Sequence, residues 1–187
     1  MPASGHRLSQ LPPVADDGVI NVVIETSRGG RTKYNYVPEL AAFVAKKILP
    51  LGMSFPFDFG FIPSTLGGDG DPLDVLVLVD EPVPTGAIVP SRFIGVIEAE
   101  QTERDGKTMN NHRLVAVATV TELFADVRSF EDLPASVMQQ IEHFFISYNE
   151  QAGKRFEPTA RGDANRATAL MRQAHQRFAK QAKAKKK

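Results

Sequence analysis

The 187-residue chain contains no cysteine, which excludes a disulfide scaffold and thiol catalysis. It also lacks net charge: 22 Lys and Arg balance 22 Asp and Glu, so no overall field draws it to nucleic acid or to a membrane surface. No apolar run approaches membrane-spanning length, and the N-terminus has no signal-peptide-like apolar core. These absences set the first expectation, a soluble cytoplasmic protein with neither nucleic acid nor membrane as partner. Charge is nonetheless uneven along the chain. Residues 180–187 carry five lysines and no acid, which reads as a solvated, frayed basic tail, with nucleic-acid contact the weaker alternative.

What is present suits one domain spanning residues 1–187, because 42% hydrophobic content at this length supports a real core. The stretch that organises the chain is Gly67-Gly68-Asp69-Gly70-Asp71-Pro72-Leu73-Asp74, followed directly by Val75-Leu76-Val77-Leu78-Val79. Glycines let the backbone turn sharply, Pro72 fixes one φ angle, and the apolar run reads as a buried strand. Two carboxylates about 5 Å apart repel by roughly 3 kcal/mol at an effective dielectric near 20. Water, a raised pKa or a divalent cation can meet that cost, and hard oxygen ligands favour Mg²⁺, Mn²⁺ or Ca²⁺. A plain solvated turn is the competing reading. An EF-hand loop fits less well, because Glu81 is the only later Glu nearby and lies beyond the strand. Asp74, at the start of a half-buried strand, tips the balance toward a partnered group.

Along the chain, Met1 to Asp17 carries Pro2, Pro12 and Pro13 without periodicity and reads as an irregular N-terminal arm. Val19 to Glu25 and Thr32 to Val37 read as strands joined at Ser27 to Arg31 into a hairpin. Glu39 to Phe43 alone suggests a helical turn, whereas Phe43 to Leu49 can form a short strand. Phe55, Phe57, Phe59 and Phe61 alternate as an aromatic core. Ala87 to Val89, Arg92 to Glu98 and Leu114 to Val120 supply further strands, with a polar loop from Glu100 to Asn111. Short strands with regular turn signals predict a closed antiparallel barrel. Ser129 to Asp132 can cap a helix with Leu133, Val137, Ile141, Phe144, Phe145 and Tyr148 on its inner stripe. Gly162-Asp163 can start a second helix, with Ala167, Leu170, Met171, Ala174 and Phe178 facing the core. The fold class is therefore α+β and mainly β, a small closed antiparallel barrel with two C-terminal helices and no internal repeats.

Asp69-Gly70-Asp71-Pro72-Leu73-Asp74-Val75 resembles the signature of the soluble family I inorganic pyrophosphatases. The likeness continues through Val22 to Glu25, Lys33-Tyr34, Phe55 to Pro63, Asp80 to Pro90, Leu114 to Val117 and His143 to Tyr148. It implies an OB-like barrel and a Mg²⁺-dependent hydrolase, with Mn²⁺ possible, that splits pyrophosphate into two phosphates. It also implies a homo-oligomer, dimeric or hexameric, in which the helix carrying His143 can contact another subunit. By the same resemblance Asp69 and Asp74 match metal ligands, and Asp71 matches the residue that orients or deprotonates the attacking water. Glu25 matches an active-site acid, and Lys33 and Tyr148 match phosphate-contacting groups. Lys46, or alternatively Lys47, stands where the family has an arginine, and Arg113 where it has a phosphate-binding lysine. Both swaps keep charge and change hydrogen-bond geometry.

Other positions depart further from the family pattern. Asn35 replaces a Glu, Phe55 and Phe59 replace tyrosines, and Asn149 replaces a lysine. Asn111 takes the place of a metal-bridging Asp and Gln101 that of a second metal-binding Asp, unless Glu100, Glu103 or Asp105 substitutes from the longer loop. The resemblance thus implies an intact first metal site and depleted further ones. Three functions follow: a pyrophosphatase, with activity reduced by the substitutions; a weak or silent relative that binds phosphate or metal; or a hydrolase of another phosphate compound.

Overall fold

Nine strands and two helices make up the computed structural model, which describes residues 8–15 and 18–184. In chain order they are β1 (Ile20–Thr26), β2 (Thr32–Val37), β3 (Ala42–Ile48), β4 (Asp58–Ile62), β5 (Leu73–Leu78), β6 (Ile88–Thr102), β7 (Thr108–Asn110), β8 (Arg113–Ala118), α1 (Ala135–Glu150), β9 (Arg155–Asp163) and α2 (Ala164–Ala184). The order β1-β4-β5-β8-β6, with β1 also paired to β6, closes the sheet into a ring. The mainly β architecture with two helices matches the sequence reading. The ring is not antiparallel throughout, because β5 and β8 run parallel, Val75 opposite Leu114 and Leu78 opposite Val117. No helix among the described residues is long and apolar enough to cross a membrane.

Both faces of the ring are covered, which explains the unbroken apolar run of β5. Side chains alternate across a strand, so Leu76 and Leu78 join Phe59, Ile141 and Phe145 on the α1 side. Val75 and Val77 join Ile24, Ala167 and Met171 on the α2 side. Of the four alternating phenylalanines, Phe55, Phe59 and Phe61 are buried, and Phe57 is half-buried and packed against the α1-side core.

Several expectations need correction. β1 and β2 do not form a hairpin: both edges of β1 are taken, by β4 and by β6, and β2 pairs with β3 instead. Side chains bridge the gap, with the Tyr36 amide donating to Glu25 Oε1 at 2.8 Å and the Tyr34 amide to Thr26 Oγ1 at 3.3 Å. The strands expected at Ala87 to Val89 and Arg92 to Glu98 are one continuous strand, β6. The segment from Glu100 to Asn111 is not a loop: β6 runs to Thr102 and returns as β7. Ser129 and Asp132 cap only a short 3₁₀ turn, and α1 begins after Pro134, which holds Leu133 extended. β9 was not anticipated. The N-terminal arm is not wholly irregular, since Leu8–Gln10 forms a 3₁₀ turn and Val14 bridges to Ile20. Lys180 and Lys183 belong to α2, and the last three residues of the basic tail lie outside the described residues.

Candidate active site

The acidic loop is folded by its own backbone. Gly67 N–H donates to Asp71 O at 2.6 Å, Asp71 N–H donates to Asp69 Oδ1 at 3.1 Å, and Gly70 supplies a φ of 92°. Its base is fastened to α2: Leu66 N–H reaches Ala174 O at 3.1 Å, Arg177 Nε reaches Leu66 O at 2.8 Å, and His175 Nδ1 lies 2.7 Å from Ser64 O. The loop thereby presents Asp69, Asp71 and Asp74 to a cavity of about 520 Å³, which Glu25, Lys33, Asn111, Arg113 and Tyr148 also line. Burial pushes the Asp69 carboxyl above its usual range; the Asp71 N–H opposes this, and the neighbouring Asp74 and Asp71 charges add to it.

Two strand irregularities aim side chains into this cavity. The pairing of β1 with β4 slips between Ile24 and Thr26, which makes Glu25 the extra residue of a β-bulge. Glu25 is only 7% exposed. Burial raises its pKa from 4.5 to about 7, against the Tyr36 hydrogen bond and the Lys33 charge, with Asp74 and Asp71 pushing further upward. A second slip, in β2 against β3, sets Lys33 opposite Lys47 and leaves Lys46 as the extra residue. Lys46 is exposed and does not line the cavity, a correction to its expected role. Lys47 instead lies over the Tyr148 ring, 4.2 Å from its centre, and donates to Tyr148 O. Lys33 Nζ sits 5.3 Å from the Phe59 ring centre and 5.8 Å from that of Tyr148. Burial works to lower the Lys33 pKa, but the Asp74, Tyr148 and Glu25 charges outweigh it and leave Lys33 above its ordinary value.

The opposite wall comes from β6, β7 and β8. Because β5 and β8 are parallel and in register at Val75 and Leu114, the residues just before these, Asp74 and Arg113, lie side by side. Arg113 Nη1 meets Asp74 Oδ2 at 2.7 Å and also donates to Asn111 Oδ1. Asn111 Nδ2 donates to Gln101 Oε1 at 3.1 Å, Gln101 Nε2 to Glu103 Oε1 at 2.6 Å, and Lys154 Nζ closes the chain on Glu103 at 2.8 Å. The Arg113 guanidinium lies 5.0 Å and 5.4 Å from the Phe145 and Phe156 ring centres, and its Nε is buried without a partner among the described residues. Of the three acids that could replace missing ligands, Glu103 lines the cavity but is paired with Lys154. Glu100 and Asp105 do not line it.

Sequence reasoning missed Lys154, Tyr36 and Ser9, all of which line the cavity. Lys154 follows Gly153, the positive-φ residue just past α1, and that helix-terminal glycine was the one available signal. Asn35 and Asn149 line the cavity too. Asn149 spends its side-chain N–H on Phe145 O at 2.8 Å, within its own helix. The donor set suits a hard divalent cation on the loop side, where crowded carboxylate oxygens face one cavity. Among the described residues no three acidic, His or Cys side chains form a ready-made cage, so such an ion would need oxygens from water or ligand as well.

Comparison with known proteins agrees with this geometry. An inorganic pyrophosphatase family profile matches residues 22–179. A Nostoc sp. inorganic pyrophosphatase is 34% identical over 89% of this chain and 95% of its own length. One from Halalkalibacterium halodurans is 36% identical over 86% and 95%. The crystal structure of inorganic pyrophosphatase from Thermus thermophilus superposes with a TM-score of 0.82 at 33% identity, covering 92% of this chain and 99% of that one. With its acidic loop, ring-like sheet and near full-length likeness, this chain belongs to the inorganic pyrophosphatase family.

Proposed function

We propose that this chain hydrolyses inorganic pyrophosphate to two phosphates with the help of a divalent cation, Mg²⁺ or, as an alternative, Mn²⁺. One observation supports this above others: three loop carboxylates and Glu25 share a cavity with Lys33 and Arg113, so one site offers both cation-binding oxygens and phosphate-binding cations. Asp69 and Asp74 are the residues assigned to hold the ion, whereas Asn111, the other expected ligand, turns its oxygen to Arg113 and its nitrogen to Gln101. When bound, the cation neutralises phosphoryl charge and acidifies water. Lys33, Arg113 and the Tyr148 hydroxyl bind phosphoryl oxygens and orient the anhydride, and charge-assisted bonds of this kind are the strong ones. Asp71 takes the proton of the attacking water. Glu25, with a pKa of about 7, exchanges a proton near neutrality without leaving its place on Tyr36 N–H. Little covalent work falls to the protein in phosphoryl transfer.

The amides at Asn35, Gln101, Asn111 and Asn149, together with the Arg113–Asp74 pair, favour a slow enzyme over a fast one. A cytoplasmic location and self-association complete the proposal. Light scattering on the purified protein tests assembly, and a monomer at all concentrations would overturn that part. For the activity, phosphate release from pyrophosphate is followed across Mg²⁺ and Mn²⁺ titrations. The expected result is release that needs the cation and is lost in Asp71→Asn. No release at any cation concentration would refute hydrolysis and leave a phosphate- or metal-binding protein.

A further inference from the structure

We infer that Arg113 is a resident cation that stands in for a second divalent ion, so that this pocket binds one metal ion and not two. The inference rests on the reading that the loop side of the pocket takes a divalent cation, and it concerns what the other wall can accept. On that wall Asp74 Oδ2, Asn111 Oδ1, Gln101 Oε1 and the Glu103 oxygens are each already engaged by a donor. Asp74 Oδ2 and Asn111 Oδ1 both accept from Arg113 Nη1. Gln101 Oε1 accepts from Asn111, and Glu103 accepts from Gln101 and Lys154. The amides are oriented in one direction, each turning a nitrogen, which cannot ligate a cation, toward the next acceptor. A chain with a positive side chain at each end, and two neutral amides and the single Glu103 carboxylate between them, carries net positive charge and asks for none.

The guanidinium is also fixed in place. Arg113 is 4% exposed, lies against the Phe145 and Phe156 rings, and starts a strand in register with the one that carries Asp74. It cannot swing aside without exposing those rings and leaving Asp74 uncompensated. A second divalent ion at Asp74 and Asn111 would therefore have to share both oxygens with a cation already there.

This has a consequence that amide-to-acid replacement alone would hide. In Asn111→Asp the new carboxylate faces Arg113 Nη1 and forms a second ion pair with it, so adding that acid does not open a metal site. Opening the site requires removal of the guanidinium as well. Metal is counted by Mn²⁺ electron paramagnetic resonance and calorimetry on the full chain, without substrate. The parent and Asn111→Asp are each expected to bind one Mn²⁺, and Asn111→Asp with Arg113→Met to bind two. Methionine suits the aromatic surroundings, and Arg113→Gln serves as the second choice should that variant fail to fold. Two ions in the parent, a gain of one ion in Asn111→Asp alone, or no gain in either folded double variant would overturn the inference. One bound ion without phosphate release would refute the proposed activity and leave this inference standing, whereas a parent that binds no ion would overturn both.

Discussion

Glu25 offers a test of the pocket that needs neither substrate nor metal. Its pKa is raised from 4.5 to about 7, chiefly by burial, so between those values the folded protein holds a proton that the unfolded chain has released. Stability contributed by this group is therefore complete below about pH 4.5 and is lost as pH rises through 7. A rise of that size corresponds to about 3 kcal/mol, at roughly 1.4 kcal/mol per unit. Solvent screens little of it, because Glu25 is only 7% exposed. Glu25→Gln keeps an oxygen for the Tyr36 N–H and carries no charge to desolvate. It also withdraws one of the charges that favour protonated Lys33, which trims the gain to about 2 kcal/mol. Urea unfolding followed by circular dichroism, in chelator and without phosphate, should find the variant more stable than the parent at pH 8. The difference should shrink steadily and vanish near pH 4.5. Equal stability at pH 8, or a difference that ignores pH, would show that Glu25 is solvated or paired more strongly than its surroundings indicate.

Lys33→Ala should weaken calorimetric phosphate or pyrophosphate binding by at least tenfold even if turnover is absent, since it removes a charge-assisted contact of about 1.5–3 kcal/mol; unchanged affinity would remove Lys33 from the site. Asp58 is fully buried and accepts the amides of Arg28 at 2.6 Å and Val83 at 2.9 Å. Asp58→Ala strands both donors and should cost roughly 3 kcal/mol in urea unfolding, whereas a loss below about 1 kcal/mol would contradict those bonds. A Cβ on Gly60 would fall 2.0 Å from Val23 O in the neighbouring strand, so Gly60→Ala should lose more than about 4 kcal/mol or fail to fold. A soluble variant with the parent's melting temperature would disprove that close approach.

The acidic loop and β5 were legible because turn glycines and a buried apolar run are local signals. β9 was not: among its nine residues only Phe156 is buried, so no alternation marks it, and pairing with β6 holds it in place. β6 was read as two strands because Pro90-Ser91-Arg92 interrupts its apolar pattern, yet Pro90 pairs with Asn21 inside the strand. Ser27 to Arg31 has the composition of a hairpin turn, but composition does not reveal that β1 has no edge left to offer. That Lys47 and not Lys46 lies over Tyr148 follows from a bulge between the neighbouring strands β2 and β3, which spacing cannot show. Asn111 and Gln101 could be recognised as replaced acids, but not as links of one hydrogen-bonded chain, because that depends on β6 folding back as β7. Gly153 marks the end of α1 before Lys154, but that Lys154 meets Glu103 depends on the same fold-back.

The length of β6 also fixes the order in which the protein can assemble. Its first residues close the ring on β1, with Ile20 opposite Ser91, and its last residues wait for β9, with Thr102 opposite Arg155. A nascent chain that has emerged only through β5 holds β1 with one edge unpaired and β5 without β8. Those exposed edges are rich in valine and leucine, the composition most prone to pairing with other chains. Pairings this distant in sequence form slowly, because the loop must close before the contacts repay its entropy. Synthesis therefore passes through an interval in which five of the nine strands are made and the ring is still open, and it is then that slow translation or a holding chaperone would matter most to yield.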